Sequence, residues 1–219
     1  MNRPRICAVI VNSDLALVKQ AEEFADLFEL RIDLVGEGWP ELVTYLNRPW
    51  IACNRAAVEG GQWDRSEVER VHELLKAVEL GVQIVDLELG TEGLATITPR
   101  IARRAECLLS FHDLTGTPSL DSLREIVRRQ IAAGADICKI VTTARRFEDN
   151  ITVLRLISEF PRTRVVAFAM GDAGSVSRVL CPLVGGDFTY ASIEAGKESA
   201  PGQITAGNLR NLYQMVAGC

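Results

Sequence analysis

The side chain in the most unusual chemical setting is Lys139, within the run Gly134-Ala135-Asp136-Ile137-Cys138-Lys139-Ile140-Val141. Residues 137–141 read as a short buried strand, so the lysine must either snorkel to water or lie inside. Inside, desolvation disfavours the ammonium and lowers the pKa, which supplies the neutral amine an imine-forming nucleophile needs. The competing reading is a strand-end lysine that reaches solvent or pairs with Asp136. A second chemical group, His112-Asp113, follows another apolar run over residues 106–111. An imidazole titrates near neutral pH and suits proton transfer; an ordinary helix-entry turn is the alternative.

The elements that would position these groups follow from hydrophobic periodicity. Strands are expected over residues 5–11, 28–35, 49–54, 82–89, 106–111, 137–141, 164–170 and 187–191. Helices are expected from Ser13 or Asp14 to residue 25, then over 37–47, 66–80 and 95–104. Further helices are expected from Ser119 or Asp121 to 133, then over 147–160, 174–180 and 206–216. In the helix expected over 66–80, Val68, Val71, Leu74, Leu75 and Val78 fall at helical spacing, and Gly81 closes it. Strict alternation with short connections predicts a parallel sheet with right-handed crossovers. Eight such units predict a closed (β/α)₈ TIM barrel, an α/β fold, as a single domain over residues 1–219. A doubly wound open sheet is the runner-up. Charges inside the second and fourth strands favour the barrel, whose mouth tolerates inward polar groups. No G-x-G-x-x-G follows the first strand and no P-loop motif is present.

Composition narrows the function classes. The 219 residues carry 47% hydrophobic and 24% charged residues, with a net charge of −5. The pI of about 5.2 argues against a nucleic-acid partner. No apolar run approaches the roughly 20 residues needed to span a bilayer, and the basic start Met1 to Arg5 precedes too short an apolar run for a signal peptide. A cytoplasmic protein without a membrane partner is the expectation. The cysteines, Cys7, Cys53, Cys107, Cys138, Cys181 and Cys219, form no C-x-x-C pair and read as buried reduced thiols. His72 and His112 are the two histidines, so no multi-histidine metal site is expected.

Catalytic groups of such a barrel gather at the carboxyl ends of its strands. That rule collects Glu29 and Arg31 from the second strand, Arg55 and Glu59 after the third, and His112 after the fifth. Lys139 comes from the sixth, Arg178 lies beyond the seventh, and Ser199 and Gln203 lie in the loop after the eighth. Glu29, Arg31 and Asp33 also fit a barrel-lining ion network. Asp86 and Glu88 read as structural acids near the barrel floor.

Taken in order, these segments resemble the type I 3-dehydroquinate dehydratases, (β/α)₈ barrels of the shikimate pathway. The family's Glu-x-Arg-x-Asp strand appears as Glu29-Leu30-Arg31-Ile32-Asp33, and its arginine and Glu-Gly-Gly loop as Arg55 and Glu59-Gly60-Gly61. Asp86-Leu87-Glu88, Ser110-Phe111-His112-Asp113 and the Gly134 to Lys139 segment match three further motifs. Gly174 to Arg178 and Ala200-Pro201-Gly202-Gln203 match two more. The resemblance implies a hydro-lyase that dehydrates 3-dehydroquinate to 3-dehydroshikimate. It implies Lys139 as Schiff-base nucleophile, His112 as general acid and base, and Glu59 as the acid that orients the histidine. It also implies Arg178 on the substrate carboxylate, Glu29, Arg31, Arg55 and Gln203 on hydroxyls, and Ser199 closing over the substrate. It calls for no metal and no organic cofactor, and it is compatible with a homodimer. Val9 and Asn54 depart from the family pattern, Val9 standing where many members place a serine. A class I aldolase would share Lys139 without needing the other motifs. A non-catalytic barrel would not need an intact Lys139, His112, Glu59 and Arg178.

Overall fold

The apolar runs pair with one another as parallel strands in chain order, because each is joined to the next by a crossover that packs back on the sheet. The computed structural model describes residues 3–217. Its strands are β1 Ile6–Ile10, β2 Leu27–Arg31, β3 Trp50–Cys53, β4 Ile84–Glu88, β5 Glu106–His112, β6 Ile137–Thr143, β7 Arg164–Met170 and β8 Thr189–Ser192. The α-helices are α1 Leu15–Ala21, α2 Ile32–Val35, α3 Trp39–Leu42, α4 Glu67–Glu79, α5 Leu94–Ile101, α6 Leu120–Ala132, α7 Glu148–Glu159, α8 Ser175–Leu180 and α9 Ala206–Ala217.

The sheet runs β7-β6-β5-β4-β3-β2-β1-β8, so β8 returns to pair with β1. At the remaining seam Asp187 N–H, just before β8, donates to the Val165 carbonyl of β7 at 2.9 Å. Higher up, the Phe168 and Tyr190 rings meet across the seam at 5.9 Å. The result is a nearly closed (β/α)₈ barrel. Residues such as Ala8, Leu30, Ala52, Val85 and Leu109 point outward and pack under the helices. Leu27, Ile51, Ile84, Leu108, Ile137 and Phe188 fill the interior at the start of the strands. That apolar plug is the floor on which the polar layers rest. No helix among the described residues is long and apolar enough to cross a membrane.

Local sequence sets the helix starts. Asp14 rather than Ser13 caps α1, accepting from Ala16 and Leu17 N–H. Ser66 and Glu69 form a capping box at α4, and Ser119 rather than Asp121 caps α6. Cys7, Cys53, Cys107, Cys138 and Cys181 are free and buried, while Cys219 lies outside the described residues.

Three expectations need correction. The second strand stops at Arg31, and Ile32–Val35 turns into α2. The cause is Asp33, whose carboxylate accepts from Arg31, from Arg55 N–H and from Gln62 N–H, and so folds the chain back. The single helix expected over 37–47 is instead a 3₁₀ turn, the short α3 and a second 3₁₀ turn. On α4 the inward face is Arg70, Leu74, Ala77 and Val78, whereas Val68 is 80% exposed. Arg70 enters because its guanidinium finds Glu88 Oε2 at 2.6 Å and the Asn54 carbonyl at 2.8 Å.

Candidate active site

Alternation along each strand puts every second side chain inside the barrel. Glu29 and Arg31 of β2, Asp86 and Glu88 of β4, Ser110 and His112 of β5, and Lys139 of β6 therefore project inward, above the apolar floor. Ser110 pairs in register with Lys139, and Cys53 with Asp86. Strand β6 continues to Thr143, so Lys139 sits in mid-strand and not at its end. The cavity above it has a volume of about 300 Å³, and Lys139, His112, Arg178, Glu29 and Tyr190 all line it.

Lys139 is buried and its ammonium is fully engaged. Nζ donates to Asp86 Oδ2 at 2.9 Å and Glu29 Oε2 at 3.4 Å. It also stands 4.1 Å above the centre of the Tyr190 ring. Burial alone lowers its pKa, as the strand pattern suggested. The charges of Asp86 and Glu29 outweigh that penalty, and the net direction is upward. The lysine therefore rests as a cation, contrary to the expectation of a lowered pKa. Asp86 belongs to the polar centre and not to the barrel floor, two residues above Ile84 on the same face. Burial raises its pKa, but Arg55 and Lys139 more than reverse this and hold it well below the usual carboxylate range.

Arg55 organises the acids on the opposite wall. Its Nη1 donates to Glu88 at 3.0 Å and Ser110 Oγ at 2.6 Å. Its Nη2 donates to Asp86 at 2.7 Å and Cys53 Sγ at 3.3 Å. All four Nη protons thus face protein, which leaves Nε as the donor still available to a ligand. Glu29, Cys53 and Asp86 bring potential metal-ligand atoms within 4.8 Å of one another. Both carboxylates are already paired with buried cations, which disfavours a further positive charge there. Arg31 is held by both oxygens of Asp33 at 2.9 and 2.6 Å. Burial works to lower its pKa, but the Asp33 hydrogen bond overrides it and raises the net value.

The loop after β3 doubles back tightly. Gly61 N–H donates to the Ala56 carbonyl, and a Cβ on Gly61 would lie 1.9 Å from the Arg55 carbonyl oxygen. Only glycine fits, and this fold brings Glu59 against His112, Nδ1 to Oε2 at 2.7 Å. Burial pushes the Glu59 carboxyl up to about 7, against the pull of Arg55. Burial, then Arg55 and Lys139, push His112 well below its ordinary value. The imidazole is therefore neutral, Nδ1 is committed to Glu59, and Nε2 is the ring atom left to exchange a proton.

Arg178 shows the opposite condition from Arg55. Helix α8 is pinned beneath the mouth, with Ser177 Oγ accepting from Ala169 N–H at 2.9 Å and Ser177 N–H donating to Asn150 at 3.0 Å. This turns Arg178 inward, where it is fully buried and stacked 4.3 Å from the Phe168 ring centre. Its Nε and Nη2 have no hydrogen-bond partner among the described residues. Burial pulls its pKa down to about 10. A buried fork with idle donors fits a planar anion.

The loop after β8 covers the cavity. Pro201 accepts from Gly171 N–H at 3.3 Å, which docks it on the end of β7. Ser199 and Gln203 lie in it and hold each other, Ser199 N–H to Gln203 Oε1 at 2.9 Å and Gln203 Nε2 to Ser199 Oγ at 3.0 Å. The fold thus brings all nine expected residues, Glu29, Arg31, Arg55, Glu59, His112, Lys139, Arg178, Ser199 and Gln203, around one cavity. Sequence reasoning missed Asp86 as the nearest partner of Lys139, although its place in the Asp-x-Glu alternation was a usable signal. It also missed Arg70, a charged residue at a helix position that periodicity gives to solvent, and Tyr190, which reads as one more apolar strand residue.

Fold and site together define a (β/α)₈ barrel with an internal lysine, a histidine–carboxylate pair and an unpaired arginine at its carboxyl-terminal mouth. Residues 6–218 match the family model described as type I 3-dehydroquinase. A 3-dehydroquinate dehydratase of Dehalococcoides mccartyi is 42% identical over 216 residues, covering 99% of this chain and 97% of the relative. One from Methanocaldococcus jannaschii is 33% identical over 219 residues, covering 96% and 98%. The crystal structure of 3-dehydroquinate dehydratase from Geobacillus kaustophilus superposes with a TM-score of 0.83 at 26% identity, covering 99% and 93%. The chain belongs to the type I 3-dehydroquinase family.

Proposed function

We propose that this protein is a 3-dehydroquinate dehydratase that works through an imine on Lys139. The observation that carries the reading is one small cavity holding a buried amine, a neutral histidine and an unpaired buried guanidinium. The substrate has a carboxylate, a ketone and several hydroxyls. Its carboxylate would take the idle donors of Arg178, which sets the ketone over Lys139.

The ammonium first gives a proton to Nε2 of the neutral His112. The free amine then adds to the ketone: the nitrogen–carbon bond forms, the carbonyl π bond breaks, and the His112 imidazolium protonates the oxygen. His112 assists loss of that oxygen as water, leaving an iminium. The cation withdraws electrons, so the neighbouring C2–H becomes acidic. His112 Nε2 takes that proton and an enamine forms. The enamine pushes out the adjacent hydroxyl, which leaves as water after His112 returns a proton. Water then hydrolyses the conjugated iminium and frees Lys139 with 3-dehydroshikimate. Glu59 holds the ring through Nδ1 and stabilises the imidazolium while it carries the proton. Arg55 positions Asp86 and Glu88, and Ser199 and Gln203 close the loop.

The test is incubation with 3-dehydroquinate while following the absorbance of the conjugated enone. Borohydride added during turnover should leave a substrate-derived adduct on Lys139 by peptide mass spectrometry. Turnover without an adduct would remove the imine and leave the dehydratase reading standing. No enone, with an adduct from another keto acid, would favour an aldolase.

A further inference from the structure

Strand β1 gives the cavity no strong polar group, because its inward residues are Cys7 and Val9. Its neighbour β8 does so at Tyr190, which pairs in register with Cys7. Tyr190 is 2% exposed, lines the cavity, and has a hydroxyl with no hydrogen-bond partner among the described residues. A buried phenol normally finds a partner, since an unpaired one has given up its hydrogen bond to water with nothing in return. Burial, and after it the charge of Glu29 and the pull of that carboxylate on the phenol proton, raises its pKa, so the group is a neutral donor. Ser192 Oγ, two residues along the same face, is also unpartnered, but Ser192 does not line the cavity.

The ring is held by two other aromatic rings. Phe188 meets it edge-on at 5.4 Å and Phe168 packs at 5.9 Å. Its face looks at Lys139 Nζ from 4.1 Å. An aromatic face attracts a cation, more so when both are desolvated. The nitrogen at that position carries positive charge both as the resting ammonium and as an iminium.

We propose that Tyr190 is a further catalytic residue with two separable parts: a ring that stabilises the cationic nitrogen of Lys139, and a hydroxyl that donates to a substrate oxygen. The inference rests on the imine-forming dehydratase reading for its hydroxyl part; the ring part concerns Lys139 alone. The hydroxyl completes the hydrogen-bonding wall on the side where Cys7 and Val9 offer none, and it gives a hydroxylated substrate one contact that a phenylalanine would not.

Two variants separate the parts. Tyr190→Phe keeps the ring and removes the donor. With 3-dehydroquinate it is expected to raise KM about five- to tenfold, as for one lost neutral hydrogen bond, with kcat within about twofold. Tyr190→Leu removes the ring too. At about pH 9, without substrate, it should speed reductive methylation of Lys139 by formaldehyde and borohydride about threefold or more over Tyr190→Phe, because the ammonium loses its partner. Tyr190→Met replaces it if the leucine protein does not fold. A wild-type KM in Tyr190→Phe overturns the hydroxyl's role. Equal methylation rates in the phenylalanine and leucine or methionine proteins overturn the ring's. A wild-type protein inactive on 3-dehydroquinate overturns the dehydratase reading, and the methylation rates still decide the ring.

Discussion

Arg178 and Lys139 are both buried cations, and the protein solvates only one of them. Lys139 has Asp86, Glu29 and an aromatic face, whereas Arg178 has a single ring and idle nitrogens. Its guanidinium is therefore a cost to the free protein, one that a carboxylate bound as proposed would recover. Arg178→Met is expected to raise KM on the order of 100-fold, for two lost charge-assisted hydrogen bonds, while leaving the urea midpoint unchanged or higher. Lower stability with an unchanged KM would mean that the arginine serves the fold. Glu59 is a second group held against its preference, lifted to about 7 by burial. The folded protein then binds this proton more tightly than the unfolded chain does, so the residue's contribution to stability declines as pH rises from about 4.5 toward 7. Glu59→Gln, which cannot ionise, is expected to be more stable at about pH 8 by about 1–3 kcal/mol in urea. It should also lose the rise of kcat/KM through about pH 7 that marks the ionised acid supporting His112. If the Glu59→Gln protein keeps that limb, the limb belongs to another group.

At the scale of elements, the site depends on the segments beyond the strand ends more than on the strands. The Glu59 loop turns Glu59, helix α8 turns Arg178, and the loop after β8 turns Ser199 and Gln203 toward the cavity. The last is fixed by Gly202, which has φ of 79° and sits so that a Cβ would lie 2.7 Å from the Gly171 carbonyl oxygen. Gly202→Ala strains the backbone and pushes the loop off the end of β7. The expected result is a KM raised about tenfold by loss of the order of 1–2 kcal/mol from closure, with borohydride trapping on Lys139 retained. A variant that traps nothing would show the loop to be needed for imine formation itself. Strand and helix order were legible because apolar runs and caps are local signals. The turn at Asp33 and the inward Arg70 were not. Each depends on a partner far along the chain, Arg55 and Gln62 for one and Glu88 for the other, so a charged residue takes a place that periodicity assigns to solvent or to continued strand.

For the molecule as a whole, the weak place is the seam between β7 and β8, which lacks the ladder present at every other strand pair. Asp187 ties its base, accepting from Arg5 at 3.1 Å and from Arg164 at 2.9 Å. Asp187→Asn keeps the shape and removes the charge. It should lower Tm by a few degrees, for a loss of about 1 kcal/mol in partly exposed pairs. KM and kcat should not change, because the apolar floor separates this end from the cavity. A change in turnover would mean that the seam transmits to the site.

The alternation of strands and helices, the barrel, and nine of the side chains that line its cavity were legible in the chain before it folded, whereas Tyr190 and the pairing of Asp86 with Lys139 were not. The legible features come from apolar periodicity and from polar residues placed at the carboxyl ends of strands, both of which are properties of short segments. Charge states were not legible in this way. Strand pattern suggested a neutral Lys139, yet Asp86 and Glu29 arrive from other strands and hold it as a cation. Likewise Arg55 and Arg178 look alike in sequence, but one is spent on protein acids and the other is left open. A pKa and an unpaired donor depend on distances between residues remote in the chain, and only the closed barrel sets those distances.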